Sequence, residues 1–249
     1  MIEGEVKEVV KQYFERNLMN QSAYKYLGSQ IEKALLLVVG SYSSGMAHSQ
    51  SDLDIEMIVS DEAYKEMLLI SGSPKALWVH DEEYSILVDI KVRSYSWLEK
   101  KLNGDPEFLW VYEQAICIQD PGLFKSWIDE SRKLFKEKLD QYIFNSYKDL
   151  KIGVTLDDQK DLLGRYLIKA KTIEAALVIP LLLNELPYPY PKWQTWWLMK
   201  HVDIGEKIVG MCELFTTRDQ TYRTILHLIN DLLVQKGHGE LTKDFWRKL

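Results

Sequence analysis

The stretch VVGSYSSGMAHSQSDLDIEMIVS, Val38–Ser60, decides how this chain is read. An apolar run ends in Gly40-Ser41, passes through small polar residues and restarts as an alternating segment. Successive side chains of a strand point to opposite faces. Leu53, Ile55, Met57 and Val59 therefore face one way, and Asp52, Asp54 and Glu56 the other. Gly-Ser after a strand is a common turn, and alternate acids on a strand commonly mark a solvated face. Here the two occur as one unit, and no basic residue relieves the acids within their own strand. A divalent cation relieves crowding of this kind, because carboxylates supply the hard oxygen ligands it needs.

Working outward, ALLLVVG (Ala34–Gly40) is a short apolar run ending in glycine and reads as a buried strand. Before it, Val6, Val9, Val10, Tyr13 and Phe14 have helical spacing, which predicts a helix over Glu3–Arg16. After the alternating strand, DEAYKEMLLI predicts a helix with Ser60 or Asp61 as its cap. ALWVH and YSILVDIKVRSY, joined by DEE, read as a hairpin. In its second strand Ile86, Val88, Ile90 and Val92 share one face, and Leu87, Asp89, Lys91 and Arg93 share the other. Helix is expected over Tyr95–Leu102 and again from Pro106, and ICIQDPG reads as one more strand and turn.

Beyond Leu123 the strand signals stop. Helical patterns cover Phe124–Tyr147, Leu156–Ile179, Trp193–Phe215 and Asp219–Gln235. The second carries Leu162, Tyr166, Ala170, Ile173 and Leu177 on one stripe, the pattern of a bundle face. The shift near Asp120-Pro121-Gly122 places a boundary between domains 1–122 and 123–249. The fold class is α+β, a mixed sheet with helices followed by a helical bundle.

The 249 residues are 46% hydrophobic and 27% charged, enough for a sizeable buried core. A net charge of -6 argues against nucleic acid as a partner, since phosphate neutralisation needs an excess of Lys and Arg. It suits a cationic small substrate. Cys117 and Cys212 lie in apolar surroundings with no Cys-x-x-Cys pairing, so buried free thiols are expected. The apolar run AALVIPLLL (Ala175–Leu183) is short and broken by Pro180, so no membrane span is expected, and a cytoplasmic protein is.

With Gly40-Ser41, the ten residues Tyr42–Ser51, and Asp52-Leu53-Asp54-Ile55, the chain resembles the nucleotidyltransferase superfamily of the DNA polymerase β-like fold. Within it, the resemblance is to the minimal nucleotidyltransferases and to the aminoglycoside and lincosamide nucleotidyltransferases. Their signature is a strand ending in Gly-Ser, a spacer of roughly ten residues, then Asp-h-Asp/Glu-h on the next strand. A third acid on a later strand completes such sites, and LVDIKV places Asp89 there. The resemblance covers Ala34–Val92, about a quarter of the chain.

The resemblance implies a nucleotidyltransferase domain that moves NMP, expected to be AMP, from ATP or another NTP to a hydroxyl of a small acceptor. It implies two Mg2+ ions on Asp52, Asp54 and Asp89, with Asp89 also able to take the acceptor's proton. Gly40 would let the backbone approach triphosphate, and Ser41 would offer its hydroxyl and N–H at a helix start whose first turn is SYSSGMA. DIEM also fits the pattern, so the metal pair is Asp52 with Asp54 or Asp54 with Glu56; the shorter spacing and the preceding Ser51 favour the first. Glu56 would then lie deeper, near Lys91 or Arg93.

In similar enzymes a helical bundle forms the far wall of the cleft. Lys192, in LPYPYPKWQTWW, is a nucleotide-binding candidate on a stiff proline loop, whereas the neighbouring tryptophans read as core. Asp158, Asp161, Arg165 and Lys169 share one helical side, a pattern that usually marks a solvated face and otherwise offers a second base in Asp161. The histidines show no metal-ligand spacing. Two rival readings stand beside the leading one, adenylylation of a protein partner of the toxin-antitoxin type and a non-catalytic nucleotide-binding module. The resemblance also admits a homodimer.

Overall fold

Strand β1 (Leu35–Val39) is buried at every position, and β2 (Leu53–Val59) at all but Asp54. Both lie inside the sheet. In this computed structural model the described residues are 33–71, 77–81 and 86–244, with Gly4, Lys7, Glu8, Val10 and Gln12. Most of the helix expected over Glu3–Arg16, and the hairpin link at 82–85, lie outside them.

Strand β1 ends in a single turn, α1 (Gly40–Ser43), and β2 leads to α2 (Asp61–Ser71), where the Ser60 hydroxyl accepts from the Ala63 N–H at 3.2 Å. Then come β3 (Leu77–Asp81), β4 (Ile86–Ser94), α3 (Tyr95–Lys101), α4 (Pro106–Glu113) and β5 (Ile116–Gln119). The sheet order is β3-β4-β2-β1-β5. Among the described residues only β2 and β4 run parallel; the other pairs are antiparallel.

One face of this sheet is the apolar set expected from the alternation. Leu53, Ile55, Met57 and Val59 pack with Leu36, Val38, Val88, Ile90 and Val92, and with Ala63 and Met67 of α2. Each fully buried Val, Leu or Ile contributes about 1.5–3 kcal/mol, so these positions pin the register. A slip of one residue would carry the aspartates into that core.

The chain divides into two compact units, Met1–Leu134 and Phe135–Leu249. That division falls inside α5 (Phe124–Glu137), and the expected boundary at Gly122 precedes this helix. The second unit is helical: α6 (Leu139–Lys151), a 3-10 segment (Ile152–Asp157), α7 (Leu162–Leu182), α8 (Pro191–His201), α9 (Gly205–Thr217), α10 (Thr221–Gln235) and α11 (Gly239–Asp244).

Several sequence expectations change here, and the helix expected from Leu156 begins at Leu162, after the 3-10 segment that ends at Asp157. The helix expected over Phe124–Tyr147 is two, because the chain tightens at Lys138, whose N–H turns back to the Phe135 carbonyl. The one expected over Trp193–Phe215 is also two. At Gly205 an added Cβ would lie 2.5 Å from the Leu198 carbonyl oxygen, a chain approach only glycine permits. The α7 stripe is buried only at its C-terminal end, since Leu177 is 5% exposed but Leu162 is 64% and Tyr166 60%.

Among the described residues no helix is long and apolar enough to cross a membrane. Cys212 is buried and its thiol is pushed up to about 12 by that burial. Cys117 is only half-buried, against the expectation of two buried thiols.

Candidate active site

The acids of β2 and β4 meet because the two strands are parallel and in register. Asp54 lies directly across from Asp89, Glu56 across from Lys91, and Val39 of β1 across from Asp54. Side chains at paired positions share a face, so Asp54 and Asp89 point the same way. Asp52, one step before the strand, joins them: the three residues each offer a carboxylate oxygen, all within 4.8 Å of one another.

Gly40 closes the cluster from the β1 side. Its φ is +75°, and a Cβ there would stand 2.5 Å from Asp54 Oδ2. Any other residue would both strain the backbone and push the carboxylate away. The turn around it is held by the serines of the motif. Ser43 Oγ and Ser44 Oγ donate to the Gly40 carbonyl at 3.1 and 2.9 Å, and the Ser44 N–H does so at 3.2 Å. The helix expected through SYSSGMA stops at Ser43, because Gly45 takes φ +74° and the chain leaves the helix. Ser41 sits inside this turn, and its carbonyl accepts from the Met46 N–H at 2.8 Å.

Charge is poorly balanced at the cluster. Lys91 Nζ stands 2.9 Å from Asp54 Oδ1 and 2.8 Å from Asp89 Oδ2. Burial alone would lower the lysine's pKa, but its bonds to Asp89 and Asp54 outweigh that and hold the ammonium well above the usual lysine range. One ammonium does not satisfy the acids. Burial pushes the Asp54 carboxyl up against the pull of Lys91, and Asp52 and Asp89 push it the same way. Asp89 is 2% exposed, and its Oδ1 is buried with no hydrogen-bond partner. Converging hard oxygen donors, excess negative charge and an unpartnered buried carboxylate oxygen are what a divalent cation fits.

Glu56 stands apart from the cluster. It is 8% exposed and accepts a 2.5 Å hydrogen bond from the Tyr112 hydroxyl of α4. Burial raises its pKa, opposed by that bond and by Arg93 and Lys91. Glu56 lies near both Arg93 and Lys91, whose charges act on its carboxyl, while the Lys91 ammonium bonds the aspartates. Nothing in the sequence points to Tyr112, because an apolar α4 carries no sign of a partner on a distant strand.

The match to the nucleotidyltransferase domain family runs over residues 23–158, more than half of the chain. The chain belongs to this family. It is a nucleotidyltransferase, and its general chemistry is the transfer of NMP from an NTP. The nucleotidyltransferase is also similar to a solved structure, a nucleotidyltransferase-like protein from Exiguobacterium sibiricum 255-15, at 10% identity and a TM-score of 0.48, over 98% of this chain and 80% of that one. No curated protein matches.

In the second unit of the nucleotidyltransferase, Asp161, Arg165 and Lys169 have partners within the fold. Asp161 caps α7, its carboxylate accepting from the Gly164 N–H at 2.5 Å. Arg165 and Lys169 both pair with Asp219, the lysine at 2.6 Å, and Arg165 Nη1 also donates to the Leu156 carbonyl at 2.6 Å. Lys192 is exposed in the first turn of α8, with Nζ 4.2 Å from the centre of the Trp193 ring. Trp193 and Trp197 are buried, and Trp197 Nε1 donates to the Pro187 carbonyl at 3.2 Å, tying down the proline-rich loop. His48 is an exposed turn residue whose Nδ1 accepts from the Gln50 N–H.

Proposed function

We propose that this nucleotidyltransferase uses Mg2+ to transfer AMP from ATP to a hydroxyl of a small acceptor of the aminoglycoside or lincosamide kind, a modification suited to antibiotic resistance. The observation that carries the reading is the convergence of Asp52, Asp54 and Asp89 within 4.8 Å beside Gly40. Asp52, Asp54 and Asp89 would hold the metal, which when bound supplies charge neutralisation of the triphosphate and of the leaving pyrophosphate. Gly40 leaves room at the turn, and Ser41 offers its hydroxyl and N–H to phosphate oxygens. Lys192 is assigned to the nucleotide as a cation.

In the reaction a bond forms between the acceptor oxygen and the α-phosphorus as the bond from that phosphorus to the pyrophosphate oxygen breaks. The acceptor's proton passes to a carboxylate, and Asp89 is assigned as the base because its Oδ1 has no other hydrogen bond. A small acceptor is favoured by the helical second unit and by the net charge of -6, which suits a cationic ligand.

The test is incubation of the protein with each NTP, Mg2+ and a panel of aminoglycosides and lincosamides, reading pyrophosphate release and the mass of the acceptor. A mass gain equal to AMP on one acceptor is the expected result. Pyrophosphate release without modification of any small acceptor, and with the mass of AMP gained by protein, would replace the acceptor class.

A further inference from the structure

The apolar stripe of α7 outruns the unit that covers its far end. The helix has 21 residues, about 31 Å of length, and every residue from Ala175 to Leu182 is buried. Towards its N-terminus the same stripe continues through Ala170, Tyr166 and Leu162, all exposed. Leu163 and Leu167 lie beside it. Leu162, Leu163, Tyr166 and Leu167 are 64%, 66%, 60% and 60% exposed. Arg165 and Lys169 leave from the opposite side and are held by Asp219, so α7 cannot roll to bury these residues without breaking both pairs. Single exposed leucines are ordinary on a protein surface, whereas a contiguous strip of large apolar side chains marks a surface that another surface covers.

Two charges frame the strip. Glu174 lies seven residues after Leu167, about two turns on and on the same side of α7, and Lys160 lies seven residues before it, next to the N-cap Asp161. Both are exposed, and neither is ion-paired among the described residues. A strip that is apolar in the middle, positive at one end and negative at the other is complementary to its own copy turned end for end. We propose that it is a homodimer interface, in which the α7 helices of two copies lie antiparallel and cross at Leu167, with Lys160 facing Glu174 of the partner subunit at both ends. Lys171, the remaining charge on this side, then lies over Leu163 of the partner subunit, its aliphatic stem on apolar surface and its ammonium in water. At these exposures the four large side chains leave on the order of 100 Å² each in water, about 400 Å² per copy. Two copies with their charged rims then reach about 1,000 Å², the lower bound of a specific interface, which sets the dimer in the micromolar range.

The experiment is sedimentation velocity on the full chain, from sub-micromolar to hundreds of micromolar protein, with folding of each variant checked by circular dichroism. Wild type is expected to pass from monomer to dimer across that range, and Leu167→Glu to stay monomeric throughout. Lys160→Glu, a change at an exposed position, should weaken the dimer about tenfold, because like charges then meet twice. Adding Glu174→Lys to that variant should restore wild-type association. Wild type that stays monomeric at every concentration overturns the proposal. So does a dimer untouched by a folded Leu167→Glu, since its interface then lies elsewhere. Association unchanged in Lys160→Glu, or not restored by Glu174→Lys, overturns the antiparallel pairing whether or not Leu167→Glu folds.

Discussion

Two groups of charged residues, one in each unit, reach opposite ends. On the parallel strands β2 and β4, three acids converge, only Asp54 and Asp89 share the one ammonium, and Asp89 Oδ1 has no partner. On α7, Arg165 and Lys169 close on Asp219 and the Leu156 carbonyl, and Asp161 caps the helix. The first group is left unbalanced by folding and is available to a ligand. The second is consumed by folding. Charge spacing alone does not separate the two cases; whether each charge finds a partner in its own unit does.

The largest expected effect is at the unbalanced group. Asp54→Asn should lower turnover about a thousandfold, because several kcal/mol of metal-borne charge stabilisation depend on that carboxylate. Its metal-free melting temperature should hold or rise, since one of the crowded negative charges is gone. Pyrophosphate release and thermal melting monitored by circular dichroism check the two arms. Retained turnover in a folded Asp54→Asn protein would put the acids of β2 in the same class as those of α7.

Gly40→Ala comes next. The new methyl meets Asp54 Oδ2 at 2.5 Å and the backbone keeps φ +75°, so a cost of about 1–3 kcal/mol in stability is expected. Displacement of the carboxylate should also lower turnover and weaken Mn2+ binding. Chemical denaturation and Mn2+ titration of the same preparation measure both. A variant that loses stability with unchanged Mn2+ binding would show the glycine to be only a turn residue.

Replacing Asp219 by Asn tests the group whose charges are partnered within the fold. Arg165 and Lys169 would be left as neighbouring like charges, and a loss of about 1 kcal/mol is expected for this partly exposed network. Turnover should not change. A fall in turnover with unaltered melting would give these residues a part in the chemistry.

The smallest effect concerns Glu56, whose folded pKa is raised above an ordinary 4.5 by burial. The folded state then holds a proton more tightly than the unfolded state. Its contribution is present below the unfolded value and is lost as pH rises from about 4.5 through the raised value. Glu56→Gln should remove this slope, so the stability difference between variant and wild type should shift in the variant's favour across that window. Denaturation midpoints at a series of pH values read it directly.

Much of the first unit is legible in its residues alone. The strict alternation of β2 and β4 places one apolar face in the core, and strand geometry has so few choices that a two-residue period fixes which side chains converge. The α+β class follows from where the strand period stops. Helical packing is less legible. The break at Lys138 has neither glycine nor proline to announce it, and the exposed Leu162 and Tyr166 carry the same pattern as the buried Leu177.

By itself, then, the sequence determined the acidic face, the glycine that borders it and the family signature, because these depend on local spacing along single strands. Only the tertiary structure decided that Glu56 is claimed by Tyr112, that Lys91 leaves its direct neighbour for two aspartates, and that Arg165 and Lys169 share Asp219 as a partner. The pairs Glu56–Tyr112 and Lys169–Asp219 are separated by fifty-six and fifty residues, and Lys91 reaches Asp54 from thirty-seven residues away. Which charge is neutralised and which is left for a ligand is a property of such long-range pairings, and no local period encodes them.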